Sequence, residues 1–484
     1  MASFIVLMYL VLVTLHALQI VKLLGRTVEG SDALFANTGL RILADKGGLT
    51  STTTLTDTPT SQEALKCIAN CILLKPTVKN YLEELGAVET CCRLLQLAQP
   101  SMDTQFLSCR ILFFMTVDRN DLVDQLIQQE IASGIQKVLS KNVSLLKSQA
   151  PSNVNAPINA LTVSGEALKL LFNLMLLKIR NAPDNKDAVA VAEHFEACLM
   201  PIYEILFSLP FPEPLPLSAP HSHAIHALMQ FPYSVSSSVW VQHPDFVASL
   251  GVKPEEAGDY IVNKFIGALD KSIRYLLPNG GPDEDPKAVQ EHTTDAVLAP
   301  LILTLRVLAD GDINLRRSMG KQLLPKDSDR LLPVNQGQSL SAYMIRCSTS
   351  TMLPQTRDAV CELLFILCDE NPTQFTQQVG YGNAIGFLVN RGIPMEPPQE
   401  AAGDEKDKEV NPITGQYISA ENNGPSLADM TDEEKEREAE RLFVLFERLK
   451  KTGVIDVENP IATAMRENRF HEVDSTDSDG SDSA

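Results

Sequence analysis

What this chain lacks excludes more functions than what it contains. It has one tryptophan in 484 residues and only 6% aromatics. Its β-branched and aromatic residues form no alternating runs, which argues against sheets. Leu, Ala, Lys and Glu dominate the longer segments and favour helices. The chain has no concentrated basic face. Its formal charge is −20, and from Pro394 to Ala484 there are 10 Lys/Arg against 23 Asp/Glu, a net of −13 that leaves −7 for the rest. Nucleic-acid binding, which draws most of its affinity from phosphate neutralisation, is therefore not expected. A basic protein partner suits the acidity better. Nine cysteines are an odd number, and Cys67, Cys71, Cys109, Cys361 and Cys368 fall inside apolar helical patterns. They read as buried reduced thiols of a cytosolic protein.

A long transmembrane run and a well-formed leader are also missing at the N-terminus. Phe4–Leu15 (FIVLMYLVLVTL) is apolar for twelve residues, too short for a comfortable span. It has no basic region before it and no Ala-x-Ala after it. From His16 the pattern turns amphipathic, with Ala17, Ile20, Val21 and Leu24 opposite Gln19 and Lys22. Residues 1–30 stand as an apolar segment with three readings: a buried first helix, a signal peptide or an anchor.

Motifs of covalent chemistry are absent. There is no nucleophile elbow, kinase motif set or paired-carboxylate site. His221, His223 and His226 (HSHAIH) include a His-x-His, but no further ligand lies at zinc spacing, and they read as helix-cap and surface residues. Gly380–Gly386 (GYGNAIG) lacks a following Lys-Ser/Thr and a strand before it, so a helix-to-helix turn using positive φ is expected. No cofactor or metal is implied.

What is present is a repeat. Glu63–Leu74 (EALKCIANCILL) and Glu166–Leu177 (EALKLLFNLMLL) share seven of twelve positions in the pattern E-A-L-K-x-x-x-N-x-x-L-L. Phe106–Val117 (FLSCRILFFMTV) follows the same apolar pattern with Arg110 at the lysine position. The spacings are 44 and 59 residues, the surplus falling in the polar insert Lys147–Asn159. Leu298–Leu308 and Ala359–Cys368 are further candidates. A helical period in the forties marks HEAT or armadillo units. The fold expected is all-α: an armadillo/HEAT-type solenoid over residues 31–393, broken by the proline-rich loop Leu209–Pro220. Lys66 with Asn70, and Lys169 with Asn173, share a helix face. Together with Arg110 they form a candidate groove ladder for peptide carbonyls or a carboxylate; the alternative is that the Asn residues satisfy neighbouring loop carbonyls.

Residues 394–429 read as an acidic flexible linker and 454–484 as an acidic tail. Between them, 430–453 reads as a helix with Thr431 and Glu434 as capping box and Gly453 as stop. Its stripe of Ala439, Leu442, Phe443, Phe446 and Leu449 is expected to dock on a partner or return to the solenoid.

Several of these stretches together resemble the synembryn family of exchange factors and folding chaperones for heterotrimeric G-protein α subunits. They are Ala359–Leu388, Asn411–Gly415 (NPITG), Met430–Leu449, the Lys-x-x-x-Asn helices, Arg110 in SCRILFF, and His221–His223. The resemblance runs from about residue 30 to 472; the first 25 residues do not match. It implies a cytoplasmic monomer, at times at the cell cortex, that meets membranes only through the α subunit and accepts it GDP-bound or nucleotide-free. It also implies that the groove binds the α subunit's C-terminal helix and draws it away, so that GDP leaves. Animal members carry phosphorylatable residues before NPITG. Gln399–Val410 has none, and Thr476 is the candidate substitute. The other class open to such a solenoid is an armadillo cargo or scaffold protein without exchange activity. That family lines its groove with paired Trp and Asn, and this chain has only Trp240.

Overall fold

The computed structural model describes residues 2–50, 55–148, 156–284, 286–291, 293–393 and 410–421, with Thr431 and Arg437. The candidate docking residues Leu442, Phe443, Phe446 and Leu449, and Thr476, lie outside them. The chain divides into two units, Met1–Tyr417 and Ile418–Ala484. Of the second, the described part is a short helix, Ile418–Glu421, and the exposed residues Thr431 and Arg437.

The first unit is all-helical among the described residues, with one isolated bridge, Val410 to Tyr417. A row of helices runs through it, each packed on the next: α1 (Ala2–Leu24), α2 (Pro59–Leu74), α3 (Met102–Thr116), α4 (Ala160–Arg180), α5 (His221–Leu228), α6 (Thr294–Gly311) and α7 (Pro354–Leu367). Other helices back this row, among them Ala87–Leu95, Ile131–Lys147 and Ala257–Leu276. The arrangement is an all-α solenoid of the expected kind.

Local chemistry sets where the row's helices begin. Thr58 and Ser61 form a capping box at α2 with Pro59 in the first turn. At α4 the polar insert ends in Asn159, whose Oδ1 accepts from the Leu161 and Thr162 amides at 2.9 and 3.1 Å. Asp57, just before α2, reaches the next helix by accepting from the Ser101 amide at 2.6 Å and the Thr104 hydroxyl at 2.6 Å. On α2 the apolar Leu65, Ile68 and Ile72 are fully buried, while Lys66, Asn70 and Leu73 face the open side. Helix α4 is long and apolar enough to cross a membrane, yet most of it is buried in this core. All nine cysteines are buried with free thiols. Burial raises them, Cys67 and Cys198 to about 12, so they pack as small apolar groups.

The N-terminal segment is one helix, and its second half is docked: Leu18 is buried and Lys22 reaches Glu63 at 2.6 Å. Val11, Leu12, Val13, Ile20, Leu23 and Leu24 remain exposed.

The segment read as a linker is interrupted. Val410–Tyr417, carrying NPITG, belongs to the solenoid unit. Asn411 Oδ1 accepts from the Ile413 and Thr414 amides, and the Asn411 carbonyl accepts from Gly415 N, which closes a tight turn. Tyr381 and Gly382 donate to the Pro412 and Ile413 carbonyls, at 2.8 and 3.2 Å. Gly380 has the expected positive φ, +82°, and a Cβ there would sit 2.7 Å from the Ile413 oxygen. That glycine is required by the close approach of two backbones as well as by its dihedral.

A basic groove lined by α1 to α4

The repeat places its polar residues in one groove of about 1,010 Å³. Lys66 and Asn70 from α2, Arg110 from α3 and Lys169 from α4 all line it. Leu73, Leu74, Phe106, Phe114 and Leu161 give it an apolar lining, and Pro157–Asn159 closes one side. Asn173 is elsewhere. Its amide donates to Thr116 Oγ1 at 2.8 Å, tying α4 to α3, so it is a helix-to-helix contact and not a groove residue.

The cations are not free-standing. Glu63 accepts from Lys22 at 2.6 Å and from Lys66 at 3.0 Å, and Lys66 also pairs with Asp103 at 3.0 Å. Glu166 takes Arg110 through two hydrogen bonds, of 3.2 and 3.0 Å, and Lys169 at 3.0 Å. Both glutamates are buried. Burial alone would raise their carboxyls, but the hydrogen bonds from Lys22 and Lys66, and from Arg110 and Lys169, outweigh it and hold both below the usual range. Lys66 likewise resists desolvation because Glu63 and Asp103 hold its proton. The Arg110 guanidinium lies over the Phe106 ring, 4.3 Å from its centre.

The glutamate of E-A-L-K is the residue that the ladder reading passed over. Lysine and asparagine stood out because they face the opening, whereas a glutamate three positions earlier reads as an ordinary helix charge. Its signal was its identity in both copies of the repeat. With Lys22 and Arg26, five cations line the groove, and Glu63, Asp103 and Glu166, which pair with four of them, leave two net positive charges. That is a locally positive site in a chain of net charge −20.

The three histidines do not converge. His221 is buried against Phe211, with ring centres 4.8 Å apart. His223 lines the groove beside Gly165. His226 donates from Nδ1 to its own helix at Ser222 O, 2.7 Å away, and meets Phe172 edge-on. Burial holds His221 and His223 near 4, helped at His223 by Lys169. The cap-and-surface reading is thus corrected for His221, because Phe211 of the proline-rich loop packs on it, while His223 is half-buried at the groove wall. Trp240 is also buried, against Tyr203 and Tyr233, and is not part of the groove.

The family described as guanine nucleotide exchange factor synembryn matches residues 17–469, so the match begins inside α1 and not near residue 30. The chain is 26% identical to "Chaperone Ric-8A" of Bos taurus over 459 residues, covering 90% of this chain and 81% of that one. It is 25% identical to "Synembryn-like chaperone C3E7.04c" of Schizosaccharomyces pombe over 437 residues, covering 84% and 75%. Among solved structures, an engineered protein aligns at a TM-score of 0.36 and 17% identity, over 78% of this chain and 88% of that one; a likeness of that size carries no argument.

Proposed function

This chain belongs to the synembryn family of guanine nucleotide exchange factors, and from that premise we propose that its basic groove receives the C-terminal helix of a heterotrimeric G-protein α subunit. The observation that carries this is a groove with five cations, two in excess of the carboxylates they pair with, beside an apolar lining. A helix C-terminus offers what such a groove lacks: unpaired backbone carbonyls, the negative end of the helix dipole and a terminal carboxylate. The apolar lining then takes the helix's hydrophobic face.

Exchange on this reading makes and breaks no covalent bond. The protein binds the nucleotide-free α subunit more tightly than the GDP-bound one, so by linkage it lowers GDP affinity by the same factor. GTP binding later reverses the preference and releases the α subunit. The same preference accounts for a chaperone role, because a newly made α subunit is also nucleotide-free. The protein works as a cytoplasmic monomer, and residues 430–453 add a second tethered contact to the same partner.

The test is uptake of a GTP analogue by purified α subunit with Arg110→Gln/Lys169→Gln. Neutral replacements are needed, because charge reversal would set a new carboxylate against Glu166. Uptake is expected to fall about thirtyfold at limiting concentration, as a loss of about 2 kcal/mol implies, with unchanged circular dichroism. Full uptake by a folded double variant removes the groove from the account.

A further inference from the structure

The α3–α4 pair recurs at α6–α7. Leu107–Leu112 reads LSCRIL and Leu303–Leu308 reads LTLRVL, which puts Arg306 where Arg110 stands. Glu166 begins E-A-L in α4, and Glu362 begins E-L-L in α7. Arg110 and Glu166 are 56 residues apart, and so are Arg306 and Glu362. Both are ion pairs, the first at 3.0 Å with two hydrogen bonds and the second at 3.3 Å without hydrogen-bond geometry at Arg306 Nε. Each glutamate also holds a second cation, Lys169 in the first case and Arg391 in the second. Asp295 of α6 further ties the pair by accepting from the Gln355 and Thr356 amides at the start of α7, at 3.0 and 2.6 Å.

We infer that Arg306, Glu362 and Arg391 form a second oxyanion-binding station at the corresponding position of a later helix pair, taking a carboxylate of the α subunit whose C-terminal helix fills the first. The inference rests on the proposed function above. Two guanidiniums on one carboxylate leave one net positive charge and unused N–H donors. A simple tie between helices needs only one. Arg391 is 48% exposed, lies 5.0 Å from the centre of the Phe387 ring and pairs with Glu362. The first station has the same charge count around Glu166, and both glutamates occupy the same position in their repeat units. A protein partner spanning both stations would bind bivalently, and the second contact would be effectively intramolecular.

The experiment uses the full chain with Arg391→Gln and Arg306→Gln, each checked by circular dichroism and melting temperature. Two probes are titrated at low and high salt: nucleotide-free α subunit and a synthetic peptide of its C-terminal helix. Peptide affinity should be unchanged, because the peptide reaches only the first station. Affinity for the whole α subunit should fall about tenfold, or 1.4 kcal/mol, with a weaker salt dependence, and Arg391→Lys should restore most of it. Unchanged α-subunit affinity in folded variants overturns the station. So does tighter binding, which would mean that the cluster holds the chain's own acidic C-terminal segment. A wild-type chain that binds neither probe overturns the groove assignment as well, whereas normal peptide binding with no effect at the second cluster overturns only the station.

Discussion

The groove and the NPITG turn both depend on arginine, and they use it in opposite ways. Arg110 spends its donors on one carboxylate and stays partly exposed beside an opening. Arg330 is buried and is used up by closure: its Nη1 donates to the Gly415 carbonyl at 2.8 Å and the Gln377 carbonyl at 3.2 Å, and its Nη2 donates to Gln378 Oε1 at 2.7 Å. The Arg330 carbonyl in turn accepts from the Tyr417 amide at 2.8 Å. A guanidinium held by backbone carbonyls binds a segment of its own chain. One paired with a carboxylate at a groove wall has its charge offset, but Arg110 stays partly exposed there and keeps N–H donors that Glu166 does not take. Partner chemistry, more than residue type, separates the structural arginine from the one proposed to bind.

The widest separation between the two regions should come from truncation. A chain ending at Tyr417 keeps the turn and one ending at Ile393 loses it. Seven hydrogen bonds join the turn to the solenoid, through Arg330, Leu331, Val334, Tyr381, Gly382 and Asp327. At about 1 kcal/mol each, and not fully additive, they imply that the shorter chain unfolds on the order of 3 kcal/mol more easily. Peptide binding in the groove should survive in both. Equal stabilities in thermal and urea unfolding would show that the turn is not structural. Arg330→Ala in the full chain should reproduce most of the loss.

Acid should act on the groove side. The folded values of His221 and His223 lie near 4, below the usual 6.5. The unfolded chain therefore takes up protons that the folded one refuses, and stability falls as pH drops from about 6.5 to 4. Each imidazole contributes a slope of at most about 1.4 kcal/mol per pH unit. Glu63 and Glu166, held low, contribute stability that is present above their unfolded value of about 4.5 and lost as pH falls through their depressed folded values. Urea unfolding from pH 7 to 4 checks this; a flat profile would contradict it.

The smallest effect belongs to Asn173. Asn173→Ala removes its bond to Thr116 and should cost about 1 kcal/mol of stability, with peptide affinity unchanged. A binding loss without a stability loss would return Asn173 to the groove.

Much of the groove was legible because it repeats. E-A-L-K at Glu63 and Glu166 fixed the helix face, and the spacing to Arg110 fixed the unit length. Lys66, Asn70, Arg110 and Lys169 then followed from a four-residue period. Asn173 did not, although it matches Asn70 in sequence. Its counterpart contact is Thr116 on the preceding helix, and a pairing across 57 residues leaves no local mark. The pairs Lys22–Glu63 and Arg110–Glu166 were hidden for the same reason, whereas Glu63–Lys66 and Glu166–Lys169 are three residues apart on one helix and were open to a reading of the repeat. NPITG stood out only through the resemblance to the synembryn family, and its residues otherwise read as part of the acidic linker. Its docking on Gly380 and Arg330 was not legible, because a tertiary contact between backbones does not appear in side-chain periodicity.

The central claim is that the groove's cations recognise the end of a helix. It is tested most directly by titrating the full chain with the α subunit's C-terminal peptide bearing either a free carboxylate or an amide. The free acid should bind about tenfold tighter, and the difference should vanish in Arg110→Gln/Lys169→Gln. Equal affinities for acid and amide in the wild type, or a difference that persists in the double variant, would contradict it.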